Sequence, residues 1–191
     1  TTVYPQGEVD GNGELVGHLA LVAGGDLTLG GRTDQGGGIA FRDVDHTYAN
    51  FTACHALTDP DPLAGLNELA RQVAARGIKR VRGDVRVDDG LFERVEGTGS
   101  GPTNITAIMV NDNVIDFLIT PGKAGAPASV TSRPQTAVIE VDARVDTVSA
   151  GREPEIKISA PMEGRMVVRG HIAEGDPPLV RVREVPDPAT F

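Results

Sequence analysis

Between Val138 and Val148 the chain alternates without a fault, with Ile139, Val141, Ala143 and Val145 on one parity and Glu140, Asp142, Arg144 and Asp146 on the other. A period of two sends successive side chains to opposite faces of an extended strand, so this segment reads as a strand with one dry and one wet face. Shorter runs at 155–159, 165–172 and 179–185, each bounded by Gly or Pro, repeat the pattern. Ile105–Val110 and Val114–Ile119 flank Asn111-Asp112-Asn113, residue types that suit a tight turn. From about residue 103 onward the chain therefore reads as strand after strand. Half-polar strands at this spacing predict an antiparallel sheet or sandwich with one solvated face.

The first half is different. Residues 14–23 read as a strand with Leu15, Leu19 and Leu21 on one parity, closed by Gly24-Gly25-Asp26. A loop-rich stretch over 30–61 follows, with Gly30-Gly31 and Gly36-Gly37-Gly38, long enough to be either a flap or a packed excursion. One helix is predicted next. Asp61 suits its N-cap and Pro62 its first position. Leu63, Leu66, Leu69, Ala70 and Val73 then form one stripe, and Gly77 ends it with Ile78 placed to close back on the stripe. Arg80–Asp88 alternates again, Val81, Val85 and Val87 on one side. Strand, helix and strand in order make a small α/β unit.

Hydrophobic residues are 39% of the 191 and charged residues 24%, an ordinary globular mixture. With no Trp, five Phe and two Tyr, the core must rest on aliphatic side chains. The same scarcity argues against base-stacking platforms. A net charge of −9 opposes binding to nucleic acid or an anionic membrane surface. The basic runs Lys79-Arg80-Val81-Arg82 and Arg181-Val182-Arg183 are offset by nearby acids. No apolar stretch is long enough to span a bilayer as a helix. The abrupt ends at Thr1 and Phe191 are those expected of a piece of a longer protein.

Candidate chemistry is sparse. Acyl transfer needs a nucleophile, a base and an oxyanion hole in one cleft. There is no Gly-x-Ser-x-Gly, and none of Ser100, Ser129, Ser132, Ser149 or Ser159 has Lys three residues later. Lys123-Ala124-Gly125 only faintly echoes Lys-Thr-Gly. The single cysteine, Cys54, cannot form an internal disulfide, and with His46 and His55 nearby it must be weighed as a nucleophile; a semi-buried loop thiol is the simpler reading. Two acidic groups, Asp43-Val44-Asp45-His46 and Asp84 with Asp88 and Asp89, offer metal ligands but sit where Asp is a common turn residue. The glycine-rich Gly24–Gly31 lacks the spacing and the Lys of a phosphate cradle. His18 and His171 fall on strands as surface residues. The expectation is no catalytic residue, no metal site and no cofactor.

Several segments together resemble the class C low-molecular-weight penicillin-binding proteins, serine D-Ala-D-Ala carboxypeptidases and endopeptidases. Gly17–Leu29 resembles a family strand followed by a Gly-Gly-Asp-Pro-Thr-Leu turn, with Leu27 in place of the Pro. Leu63–Phe92, carrying Gly77-Ile78, Gly83-Asp84 and Val87-Asp88-Asp89, resembles the helix and strand that follow. Ile108–Asn113 and Thr120-Pro121-Gly122 resemble the next hairpin, and Val185–Phe191 the return to the catalytic domain. The matches run in family order over nearly the whole chain, although the loop at 32–58 is longer than the common pattern.

In that family two accessory domains are inserted between the Ser-x-x-Lys and Ser-x-Asn motifs of a penicillin-recognising domain. The resemblance thus implies a non-catalytic insert whose parent hydrolyses the terminal D-Ala-D-Ala bond of peptidoglycan stem peptides, through a serine acyl-enzyme, outside the cytoplasmic membrane. It implies the parent's own catalytic domain as partner, with peptidoglycan a second candidate. The fold expected is strand-rich α+β: a small α/β unit (17–98) nested within a mostly antiparallel β domain (1–16 plus 99–191). The rival readings are a stand-alone hydrolase using the acidic groups with a divalent metal, and a purely structural binding module.

Overall fold

The computed structural model describes residues 1–27, 29–30, 32–40, 46, 48–51, 53–97 and 102–190. It is strand-rich α+β, and its sheets are mostly antiparallel. The chain divides into two compact units, one formed by 1–39, 60–113 and 187–189, the other by 40–59, 114–186 and 190–191. That division differs from the expected one: the N-terminal strand and residues 99–113 belong with the helix.

In the first unit β1 (Thr2–Val9) and β2 (Glu14–Val22) form an antiparallel hairpin. The helix α1 (Ala64–Ala75) presents half-buried Leu66, Leu69 and Val73, while Ala70 stays exposed. Ile78 is buried with Leu15 and Leu19, and Val73, Val3 and Val81 pack against them. Gly77, at φ 87°, makes the left-handed turn that brings Ile78 back. The helix starts later than expected. Leu63 is the capping residue, and Asp61 contributes instead by accepting the Leu63 N–H at 2.9 Å, because Pro62-Leu63 still form a turn.

The alternating stretch after the helix splits into β3 (Arg80–Val81) and β4 (Val85–Asp88), both parallel to β2. The cause lies in three glycines aligned across the strands. Gly7 and Gly17 face each other in the β1–β2 register with φ of 150° and 152°. The Gly83 N–H donates to the Gly17 carbonyl at 2.9 Å. A short pair, β5 (Val95–Glu96) and β6 (Asn104–Ile105), follows.

Ile105–Val110 is not the hairpin partner that the sequence suggested. Beyond Ile105 the chain leaves extended geometry and reaches Asn111, Asp112 and Asn113, all left-handed at φ 51°, 53° and 58°. Asn and Asp tolerate that region because their short polar side chains bond locally. Here the buried Asn113 side chain accepts the Val110 N–H (3.2 Å) and donates to the Asn104 carbonyl (3.0 Å) and Thr106 Oγ1 (3.1 Å). Replacing Asn113 with alanine removes these three bonds from a buried site, although Thr106 keeps its bond to the Ile108 carbonyl, and is expected to cost about 1–3 kcal/mol, measurable as a lower urea midpoint.

The second unit is a β-sandwich. One sheet has the order β12 (Leu179–Glu184), β7 (Val114–Thr120), β8 (Ser129–Arg133), all antiparallel; the other has the order β10 (Glu155–Met162), β11 (Arg165–Ala173), β9 (Glu140–Val148). β9 and β11 are parallel, since β10 is placed outside β11 rather than beside β9. Ile115, Phe117 and Ile119 of β7 meet Val145, Met166, Val168 and Ile172 of the facing sheet in one core. Outside, Glu140, Asp142 and Arg144 face water as their parity requires. Asp142 lies 2.8 Å from Arg169 and 3.2 Å from Arg165.

The β12–β7–β8 sheet is covered on its other face as well. Ala49 and Cys54 pack with Val114, Val180 and Val182, and Leu57 joins them. The same segment runs along the outer edge of β12: Val180 N–H donates to the Cys54 carbonyl (2.7 Å), and Asn50 brackets Val182 at 2.9 and 3.0 Å. An edge strand covered in this way presents no open row of donors and acceptors. Ala49, Asn50, Cys54 and Leu57, within the long loop-rich stretch, thus belong to a packed excursion.

Candidate functional site

A buried ionic network lies beneath that excursion. Val114, Asp116 and Leu118 share the parity opposite to the sandwich core, so Asp116 points toward the covering segment. It is fully buried. His46 Nε2 lies 2.7 Å from Asp116 Oδ1, and Arg133 Nε donates to Oδ2 at 2.9 Å. The Arg133 guanidinium also donates to the Thr58 carbonyl (2.6 Å) and to Thr58 Oγ1 (2.9 Å). Burial alone would push the Asp116 carboxyl up. The hydrogen bond and charge of His46, then those of Arg133, outweigh it and hold the group below the usual carboxylate value.

His46 and Cys54, paired from sequence as a possible nucleophile and base, do line one cavity together with Ala49, Ala56, Leu57 and Thr58. With Asp116 behind His46, the residue types are those of a Cys–His–Asp relay. Space argues otherwise. The cavity holds about 10 Å³, at most one water. The Cys54 thiol is 3% exposed and directed at the Ala56 carbonyl, 3.6 Å away. A scissile amide and its flanking atoms have no room beside it. The arrangement works as a clamp: Asp116, held on β7, fixes both ends of the covering segment through His46 and Thr58.

Other residues singled out from sequence are not gathered into one site. His55 donates through Nδ1 to the Pro178 carbonyl at 2.9 Å, since a carbonyl can only accept. His18 contacts Asp84 and Arg86 on the neighbouring strand, and His171 reaches the Glu153 carbonyl. Asp88 Oδ1 accepts the Gly90 N–H in a turn. Asp43, Val44 and Asp45 lie outside the described residues, as does Ser100. Among the described residues no three His, Cys, Asp or Glu side chains come together as a metal-binding group. Gly30 is required for close approach rather than for phosphate: a Cβ there would sit 2.2 Å from Asn111 N. Asp116 and Arg133 were not anticipated. The available signal was an acid inside the apolar run Val114–Ile119, since a carboxylate in a buried strand demands a cationic partner.

No described helix is long and apolar enough to cross a membrane. A D-alanyl-D-alanine carboxypeptidase of Actinomadura sp. (strain R39) is 29% identical over 142 residues, covering 66% of this chain and 26% of that protein. A crystal structure of penicillin binding protein 4 from Haemophilus influenzae matches 97% of this chain and 36% of its own, at a TM-score of 0.60 and 18% identity. A second structure of that protein, complexed with a β-lactam, matches at 0.57 and 17%. The structural likeness concerns the fold. The family model described as D-Ala-D-Ala carboxypeptidase 3 (S13) matches residues 1–191 from end to end, and this chain belongs to that family.

Proposed function

We propose that this chain is a non-catalytic inserted region of a serine-type D-Ala-D-Ala carboxypeptidase that trims peptidoglycan outside the cytoplasmic membrane. The observation that carries the reading is a family match along all 191 residues of a chain in which no serine is followed three residues later by lysine. Such a pair is needed because the lysine, one helical turn on, reaches the serine hydroxyl and draws off its proton. The chain spans only 26% of the length of its carboxypeptidase relative, which leaves the attack on the peptide to the remainder of a full-length enzyme. The one buried Cys–His–Asp set lacks space for a substrate. In this reading the two units supply no reacting group. They serve as a scaffold beside the catalytic domain, which is their principal partner.

The 191-residue chain, incubated with a fluorescent penicillin and separated under denaturing conditions, is expected to carry no label and to release no D-alanine from a pentapeptide ending in D-Ala-D-Ala. A stoichiometric adduct would place the nucleophile within these residues and end the proposal.

A further inference from the structure

The β-sandwich unit has a second concavity, distinct from the small cavity beside His46 and about 370 Å³ in volume. Pockets of that size enclose small organic ligands. The buried Ile172 and Leu179 line it, together with Pro154 and Pro177. Phe51 also lines it yet is 86% exposed, so its ring contributes little to the core. A large aromatic ring left in water at a concavity presents a π-face to whatever enters.

Its charged groups come from four separate elements. Glu153 comes from the β9–β10 connection and Asp176 from the β11–β12 turn. Arg181 comes from β12 and His55 from the covering segment. The Arg181 guanidinium is half-buried and donates at 2.8 Å to the carbonyls of Ala49 and Val180. Burial also disfavours its charged form. A positive charge in so poorly hydrated a place attracts an anion more strongly than one in open water. The two carboxylates and the Phe51 ring that also line the concavity suit a cation, through charge and through the ring's quadrupole. We infer that this concavity binds a short peptide bearing both a free ammonium and a free carboxylate, the ammonium beside Glu153, Asp176 and Phe51 and the carboxylate toward Arg181 and His55. The inference stands apart from the proposed parentage, because no catalytic motif enters it.

The test is a titration of the ¹⁵N-labelled chain followed by amide chemical shifts. Three probes are used: the stem tetrapeptide L-alanyl-γ-D-glutamyl-L-lysyl-D-alanine, trialanine, and trialanine acetylated at its N-terminus and amidated at its C-terminus. The first two are expected to shift the amides of Phe51, Ala53, Cys54, His55, Glu153, Glu155, Asp176, Leu179, Val180 and Arg181, and the capped peptide to leave them unmoved. Phe51→Ala and Glu153→Gln, both at exposed positions and so compatible with folding, should each weaken binding about fivefold or more. Tighter binding of the stem tetrapeptide would identify the natural ligand as wall-derived. Equal affinity for trialanine would mark a site for ordinary peptides, and either result supports the inference. It is overturned if millimolar peptide shifts nothing in those segments, if the capped peptide binds equally well, or if neither substitution changes affinity. Failure on any of these counts leaves the penicillin-labelling result unaffected.

Discussion

Replacing Asp116 with alanine is expected to destabilise the β-sandwich unit by about 3–5 kcal/mol, the usual cost of removing one partner of a buried ionic network. Two consequences add together. Arg133 and His46 lose their carboxylate, and the segment carrying Ala49, Cys54 and Leu57 loses the clamp that holds it on the sheet. Thermal unfolding should move down by about 10 °C for a chain of this size. The pH dependence distinguishes this cause from a simple packing defect. Asp116 has its folded pKa depressed, so its stabilisation is present above the unfolded carboxylate value of about 4 and is lost as pH falls through the lower folded value. Urea midpoints of parent and variant should therefore differ widely at neutral pH and converge in acid. A gap that stays constant down to pH about 3 would show that the carboxylate charge is not the source.

The second large effect is expected at Gly17. A methyl group there would lie 2.1 Å from the Gln6 carbonyl oxygen and 2.9 Å from the Gly7 Cα, while φ of 152° is strained for any L side chain. Backbone strain of about 1–3 kcal/mol and overpacking of a similar size together put Gly17→Ala about 4 kcal/mol below the parent. Amide exchange should then speed up across β1 and β2 while the β-sandwich amides stay protected. If the variant keeps its full midpoint, the close pairing of the two glycines is not what shapes this hairpin.

What the sequence disclosed followed from periodicity. The alternation within Glu140–Val148, most of the α1 stripe (Leu66, Leu69 and Val73, though not Ala70) and the Gly77-Ile78 return appear as read, because each is set by neighbours within a few residues. Val114–Ile119 shows where that logic stops. An apolar run with one acid reads as a half-buried strand, but β7 is covered on both faces, by the sandwich core and by residues from a distant excursion. No local pattern encodes a cover that comes from elsewhere in the chain. The same holds for Asp116: its partners His46 and Arg133 come from two other segments, so only the fold unites them. Ile105–Val110 misled for the opposite reason. Ala107, Ile108, Met109 and Val110 are buried without lying in a strand, and burial without strand pairing looks the same in sequence.

The covering segment carries a cost in time. Asn50 meets Val182 across a separation of 132 residues, so the β7 sheet cannot close one of its faces until β12 has been made. At synthesis rates of about 5–20 residues per second, roughly 6–25 s elapse between the emergence of the two halves of that contact. Until β12 emerges, Ala49, Cys54 and Leu57 lack Val180 and Val182, the later half of their cluster. Non-local closure of this kind makes refolding slow and leaves adhesive surface open to other molecules meanwhile. Chains released together at high concentration should therefore lose yield to aggregation before they lose stability, and dilution rather than added stabiliser is the remedy the topology calls for.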